Sequence, residues 1–328
     1  MKKLVIGASG FLGSHVTRQL VNGGDDVRVM VRKTSSTKGI DDLAVERVYG
    51  DVFDTEALRA AMADCDVVYY CVVDARAWLR DPAPLFRTNV EGLRNVLEVA
   101  SAADLRKFVF TSTVATLAVG AGTPVTEDDP FDWHDGGPYV QSRVAAENLV
   151  LEYVREKALP AVALCISTTY GPRDWQPTPH GSLLALVAAG RFPFHFKNSM
   201  EIVGIEDAAS AMLLAAQHGR VGERYIISDR WVSQREMHTL AAEAAGVRLP
   251  TFGLPMPAVY AVARGSDLVG RVLRREMKFS TVALRMADVM APLDTGKAQR
   301  ELGWKPQPVE DSIRKAAVFF KEQGITGM

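Results

Sequence analysis

Cysteine is scarce in this chain. Cys65, Cys71 and Cys165 are the three present, an odd number, each set in an apolar stretch. They exclude a disulfide framework and a cysteine-ligated metal, and read as small buried hydrophobes of a reducing, cytoplasmic compartment. Excess charge of either sign is also missing: 38 Lys and Arg stand against 39 Asp and Glu, a formal net charge of −1. No basic stripe calls for nucleic acid, and no polybasic run calls for an anionic lipid. Long apolar runs are absent too. Leu183 to Ala189 is far too short to span a bilayer, and no charged segment with a long apolar run precedes the first strand. His180 and His195 have no metal-ligand spacing with another histidine or a cysteine, and no metal is expected.

What is present begins at the N-terminus. Lys3-Leu4-Val5-Ile6 is of strand type, and Gly7-Ala8-Ser9-Gly10-Phe11-Leu12-Gly13 follows it with glycines three apart. A helical pattern then places Val16, Leu20 and Val21 on one side. A glycine-rich strand-to-helix turn lets backbone N–H groups approach a phosphate, and the positive end of the helix faces a dinucleotide pyrophosphate. Gly7, Ser9, Gly10, Phe11, Leu12 and Gly13 are the expected cradle.

Strands and helices alternate through the first half. Apolar runs at 27–31, 45–49, 66–73, 107–111 and 161–166 are separated by helical patterns at 55–63, 89–103 and 138–156. This alternation predicts an α/β fold: a Rossmann-type doubly wound parallel sheet with helices on both faces. Residues 1–170 form the expected dinucleotide domain, to which 199–228 return. Residues 171–328 form a smaller, mostly helical substrate region over the carboxyl ends of the strands.

Three stretches carry chemistry. After the second strand, where an acid often binds the ribose 2′-hydroxyl, Val31 is followed by Arg32-Lys33. Arg32 is able to bind a 2′-phosphate, so NADP is expected over NAD, which stays possible. Tyr139 and Arg143 lie four apart on a helix, where a cation lowers the phenol pKa and equips it for general acid–base work. Phe110-Thr111-Ser112-Thr113 ends a strand with hydroxyls able to bind a substrate oxygen.

Together these residues resemble the extended short-chain dehydrogenase/reductase family, with its Ser/Thr…Tyr-x-x-x-Lys pattern. The resemblance implies Thr113, with Ser112 second, as the hydroxyl, Tyr139 as acid/base, and Arg143 where the family has Lys. Arginine keeps the charge but does not relay protons. The family also implies Asp51 and Val52 at the adenine, Val72 beside the cofactor, and Ile166 and Ser167 at the nicotinamide, with Ile166 standing where Pro is usual. It further implies that Asn89 stabilises a break in its helix. Asp74 to Pro82, Arg87 to Leu97, Gln176 to Gly181, Gly222 to Ile226 and Lys297 to Trp304 resemble the dihydroflavonol-reductase-like branch, with 3β-hydroxysteroid dehydrogenases and hopanoid-associated sugar epimerases.

Trp78, Trp133, Tyr170, Trp175, His180 and Phe194, with Phe86, Phe192, His195 and Phe196, are candidates for an aromatic substrate pocket. The leading expectation is an NADP-dependent oxidoreductase for a ketone or secondary alcohol of an apolar, ring-containing small molecule. A nucleotide-sugar epimerase or dehydratase with tightly held cofactor, and a cofactor-binding sensor without turnover, are the alternatives. A homodimer is compatible with either enzyme.

Overall fold

The structure is a computed structural model that describes residues 1–120, 124–273, 275–289 and 291–327. In chain order the elements are β1 (Lys2–Ile6), α1 (Phe11–Asn22), β2 (Asp26–Val31), β3 (Glu46–Tyr49), α2 (Thr55–Met62), β4 (Cys65–Tyr70) and α3 (Ala83–Phe86). A π-helical turn, Arg87–Gly92, leads into α4 (Leu93–Ser101), β5 (Lys107–Thr113), a 3-10 turn (Val114–Thr116), α5 (Gly137–Lys157), β6 (Ala161–Ile166) and β7 (Thr168–Tyr170). The second half runs α6 (Pro179–Ala188), β8 (Phe194–Phe196), β9 (Ser199–Gly204), α7 (Ile205–His218), β10 (Arg224–Ile227), β11 (Arg230–Ser233), α8 (Gln234–Ala245), β12 (Phe252–Leu254), α9 (Met256–Leu273), α10 (Thr281–Asp288), α11 (Gly296–Leu302) and α12 (Val309–Glu322).

The central strands are apolar at nearly every position because both faces of their sheet are covered. Seven strands pair in the order β10-β6-β5-β4-β1-β2-β3, and every ladder is parallel. Leu4, Ile6, Val68, Tyr70, Phe108 and Phe110 meet α2, α4 and α5 on one face. Val5, Val29, Tyr69, Val109 and Leu164 meet α1, α7 and Trp304 on the other. This is a Rossmann-type core with a smaller, largely helical C-terminal region.

Chain order reverses between β1 and β4, so the loops leaving them diverge and open a crevice at the carboxyl edge. Between 199 and 228 the chain divides its allegiance. Helix α7 and strand β10 belong to the large sheet, whereas β9 pairs with β7 and β11 in a three-stranded sheet. Ala298, Leu302 and Trp304 also pack into the large sheet's core, far along the chain from the first domain.

Two buried histidines carry a pH signature. His15 on α1 meets the Pro172 carbonyl at 3.0 Å, and His238 on α8 meets the Phe194 carbonyl at 3.0 Å. Burial lowers the pKa of each to about 4. A depressed histidine contributes stability above its unfolded pKa of about 6.5 and loses it as pH falls through about 4, at most roughly 3 kcal/mol per group. His238→Asn keeps a donor for the Phe194 carbonyl but does not titrate. Denaturant melts at pH 7, 5.5 and 4.5 are expected to show the parent losing stability relative to this variant as pH falls. Parallel pH dependence would show that His238 protonates freely in the fold.

Candidate active site

The turn after β1 is shaped by contacts that leave no room for side chains. Gly7 has φ of +89°, and a Cβ there would lie 2.9 Å from the Cys71 carbonyl carbon; one on Gly13 would lie 2.2 Å from the Gly7 oxygen. Gly10 caps α1 with no side-chain hydrogen bond, so no side chain competes at the helix's positive end. Phe11 opens the helix and meets His15 edge-on at 5.5 Å. Leu12 packs into the core, Ser9 lies half-buried in the turn, and Val72 borders Gly7 from the β4 side. Asp51 accepts from the Phe53 amide and, with Phe53, Arg87 and Thr88, lines a cavity of about 380 Å³. Val52 beside it is buried in the core.

At the far end of the crevice, β5 and α5 bring the chemistry together. Tyr139 is 8% exposed and packs with Ala77, Leu85, Ala115, Trp133 and Val140. Thr113, at the end of β5, stands close enough to act on its phenol. Burial pushes the phenol pKa up, while Arg143 and then Thr113 pull it down. The net direction is upward, so the acidification expected from Arg143 is present but outweighed by desolvation. Arg143 is 1% exposed, donates from Nη2 to the Thr111 carbonyl at 2.5 Å, and lies over the Phe110 ring at 5.3 Å.

Ser112 is not brought to the phenol. Successive residues on a strand face opposite ways, and Ser112 donates to Glu147 inside the protein. Glu147 also accepts from Thr116 at 3.0 Å and pairs with Arg224 at 2.9 Å. This buried network holds the end of β5 against α5 and β10, and breaking such a pair costs roughly 3–5 kcal/mol. It was missed in the sequence, although Tyr139, Arg143 and Glu147 stand four apart on one helix face. A second network fixes the chain before α5: Asn89, in the π turn, accepts from the Asp74 amide at 2.8 Å and donates to its carbonyl and to Ser142.

The expected aromatic pocket is distributed over several places. Trp133 packs with Tyr139. Tyr170 and Trp175 join the core under α6, α8 and α12, with Trp175 edge-on to Phe319 at 4.9 Å. Phe194 meets Phe192 and Phe252. Trp78 is half-buried in the loop after β4. His180, near the start of α6, has its pKa lowered by burial. Among the described residues no cluster of three or more His, Cys, Asp or Glu is set to hold a metal.

The crevice fits a dinucleotide on its own evidence. Two nitrogens of Arg143, Nε and Nη1, and the Ser167 hydroxyl are buried without a partner. Buried polar groups cost about 1–3 kcal/mol when unpaired, so a polar ligand is the natural occupant. Ile166, 6% exposed, precedes Ser167 at the end of β6.

Residues 3–228 match the model of the NAD dependent epimerase/dehydratase family. Among curated relatives, Sterol demethylase protein B of Methylococcus capsulatus is 28% identical over 99% of this chain and 100% of its own. A Putative dihydroflavonol 4-reductase of Synechocystis is 28% identical over 98% and 94%. The crystal structure of gox2253 is 33% identical, with a TM-score of 0.86 and 98% of each chain covered. The fold is shared with UDP-glucose 4-epimerase of Thermus thermophilus in complex with NAD (23% identical, TM-score 0.76, covering 98% and 99%). It is shared too with UDP-glucuronic acid 4-epimerase of Bacillus cereus in complex with NAD (21%, 0.78, 98% and 99%).

These complexes correct the expected preference for NADP, because the cofactor they hold is NAD. Arg32 is an exposed residue just beyond β2, and a solvated guanidinium there does not by itself select a 2′-phosphate. The chain belongs to the NAD dependent epimerase/dehydratase family and is an NAD(P)-dependent oxidoreductase acting on hydroxyl and ketone groups.

Proposed function

We propose that the chain acts on a nucleotide sugar, as an epimerase or dehydratase with NAD held in the crevice. The observation that carries this reading is a cavity of about 450 Å³ at the start of α5, the helix that bears Tyr139. Arg264 and Arg271 line it with Arg285, which is paired with Asp135, together with Asp267, Gly136, Gly137 and Tyr260. Guanidinium groups pair bidentately with phosphate oxygens, so a diphosphate anchored there would leave a sugar directed toward the catalytic helix. The epimerase structures of the same fold support the same substrate class.

The reading gives the residues these roles. Gly7 to Gly13 and the start of α1 would hold the pyrophosphate, Asp51 and Val52 the adenine end, and Arg143 and Ser167 the nicotinamide end. Held there, the dinucleotide would supply the hydride chemistry. Tyr139 takes the proton of the sugar hydroxyl as that carbon is oxidised, and returns it on re-reduction. Thr113 donates a hydrogen bond to the same oxygen, and Arg143 stabilises the phenolate.

A second reading, reduction of an apolar ketone, is favoured by Trp133 packed against Tyr139 and by the Phe192, Phe194 and Phe196 group. The names of the Methylococcus and Synechocystis relatives support it. One experiment separates the two. The purified protein is incubated with UDP- and dTDP-hexoses and, separately, with NADH and a panel of aryl and steroid ketones. Conversion of a nucleotide sugar without net NADH consumption is the expected result. NADH consumption with a ketone, and no change in any nucleotide sugar, would overturn it in favour of the second reading.

A further inference from the structure

Helix α9 turns an apolar stripe outward. Its inner edge, Val259 and Ala263, packs on Phe196 and Leu284. On the far side Val262, Leu268, Val269, Val272 and Leu273 are 64%, 61%, 47%, 74% and 58% exposed. With Gly265 between them, they recur at helical spacing on one face, and the helix's charged residues, Arg264, Asp267 and Arg271, fall outside that stripe. A helix of a globular protein normally presents its polar side to water, so a continuous exposed apolar stripe marks an interaction surface.

Charge says what covers it. Residues 248–285 hold seven Lys and Arg against two Asp and Glu, a formal +5 in a chain whose total is −1. The flanks of the helix carry part of this excess: Arg248 precedes exposed Leu249 and Phe252, and Arg275 and Lys278, both exposed, precede exposed Phe279. A second copy docked face to face would bring the two positive segments together, which is unfavourable. An apolar stripe with cationic flanks matches the boundary between acyl chains and anionic headgroups.

We propose that α9 is an interfacial helix that seats this protein reversibly on an anionic lipid surface. No helix among the described residues is long and apolar enough to cross a membrane, so the contact is peripheral. Val262, Leu268, Val269 and Val272 enter the acyl boundary, and Arg248, Arg275 and Lys278 meet the phosphates. The cavity lined by Arg264 and Arg271 opens on the flank of the same helix, which places this surface beside the candidate substrate entrance. The proposal does not depend on which substrate enters.

The test is flotation of the full chain with vesicles of phosphatidylcholine alone, or with about one-third phosphatidylglycerol. Binding to the anionic vesicles, weaker on the neutral ones and reduced by ~0.5 M salt, is expected. The triple variant Val262→Ser, Val269→Ser, Val272→Ser is expected to lose at least about tenfold in partitioning. Arg275→Glu with Lys278→Glu, which leaves the apolar stripe intact, should remove the preference for anionic vesicles. Both variants should retain the parent's NAD affinity, which checks that they fold. Failure of the parent to float with either vesicle overturns the proposal. So does a concentration-dependent dimer, seen by light scattering, that the triple variant abolishes while vesicle binding is absent.

Discussion

Tyr139→Phe is expected to lower turnover by at least about a hundredfold, the low end for loss of a general acid or base, and to leave NAD affinity nearly unchanged. The phenol is buried among Ala77, Leu85, Ala115, Trp133 and Val140, and phenylalanine fills the same space with the same ring. What disappears is the hydroxyl beside Thr113, the group able to exchange a proton with a substrate oxygen. Because Thr113 remains, a residual rate from oxygen polarisation should survive. Thr113→Val should then cost less in rate than Tyr139→Phe. Cofactor titration by fluorescence, alongside steady-state rates, separates the effects. A variant that keeps most of its rate would make Tyr139 a packing residue and would require another proton donor in the crevice.

The glycine turn was legible because its chemistry is local. Three glycines within seven residues each answer to a contact with nearby backbone, and the strand before and helix after declare themselves by period. The parallel sheet was legible for the same reason, since its strands are apolar throughout. The choice between Ser112 and Thr113 was not settled by their adjacency. Strand alternation separates the two hydroxyls, but only the distant Glu147, which takes Ser112, shows which one faces the phenol. Helix periodicity over 89–103 shows no interruption, and the break expected at Asn89 came from the family resemblance alone: the first turn is a π turn tied to Asp74 through Asn89. The aromatic residues do not form one cluster, for a physical reason. Large rings fill any core, so a set collected by type was scattered among separate clusters. The NADP expectation rested on Val31 standing where an acid is common and on Arg32, an exposed residue whose charge solvent screens. The charge of α9 and its flanks escaped notice because a whole-chain balance of −1 averages away a local +5.

Arg143 is where the chain departs from the pattern it resembles, and Arg143→Met is expected to weaken NAD binding by about tenfold or more, the value of a charge-assisted hydrogen bond. The guanidinium is held from one side by the Thr111 carbonyl and from beneath by Phe110, which leaves Nε and Nη1 pointing to buried space without partners. Those two nitrogens are available to ribose hydroxyls, and methionine supplies neither. The rate should fall as well, because Arg143 is the largest influence lowering the Tyr139 pKa against burial. Removing the cation raises the phenol pKa further. In the oxidising direction, where the phenolate is the base, the rising limb of the pH–rate profile should therefore move to higher pH in the Met variant. Arg143→Lys restores a cation but loses the guanidinium over the Phe110 ring and its donor to Thr111. It should recover the position of the pH limb more fully than the cofactor affinity. This split distinguishes a charge that tunes Tyr139 from a residue that merely fills space. If Met, Lys and the parent share one profile and one affinity, Arg143 serves only to brace β5 against α5, and the cation for the phenolate must come from elsewhere.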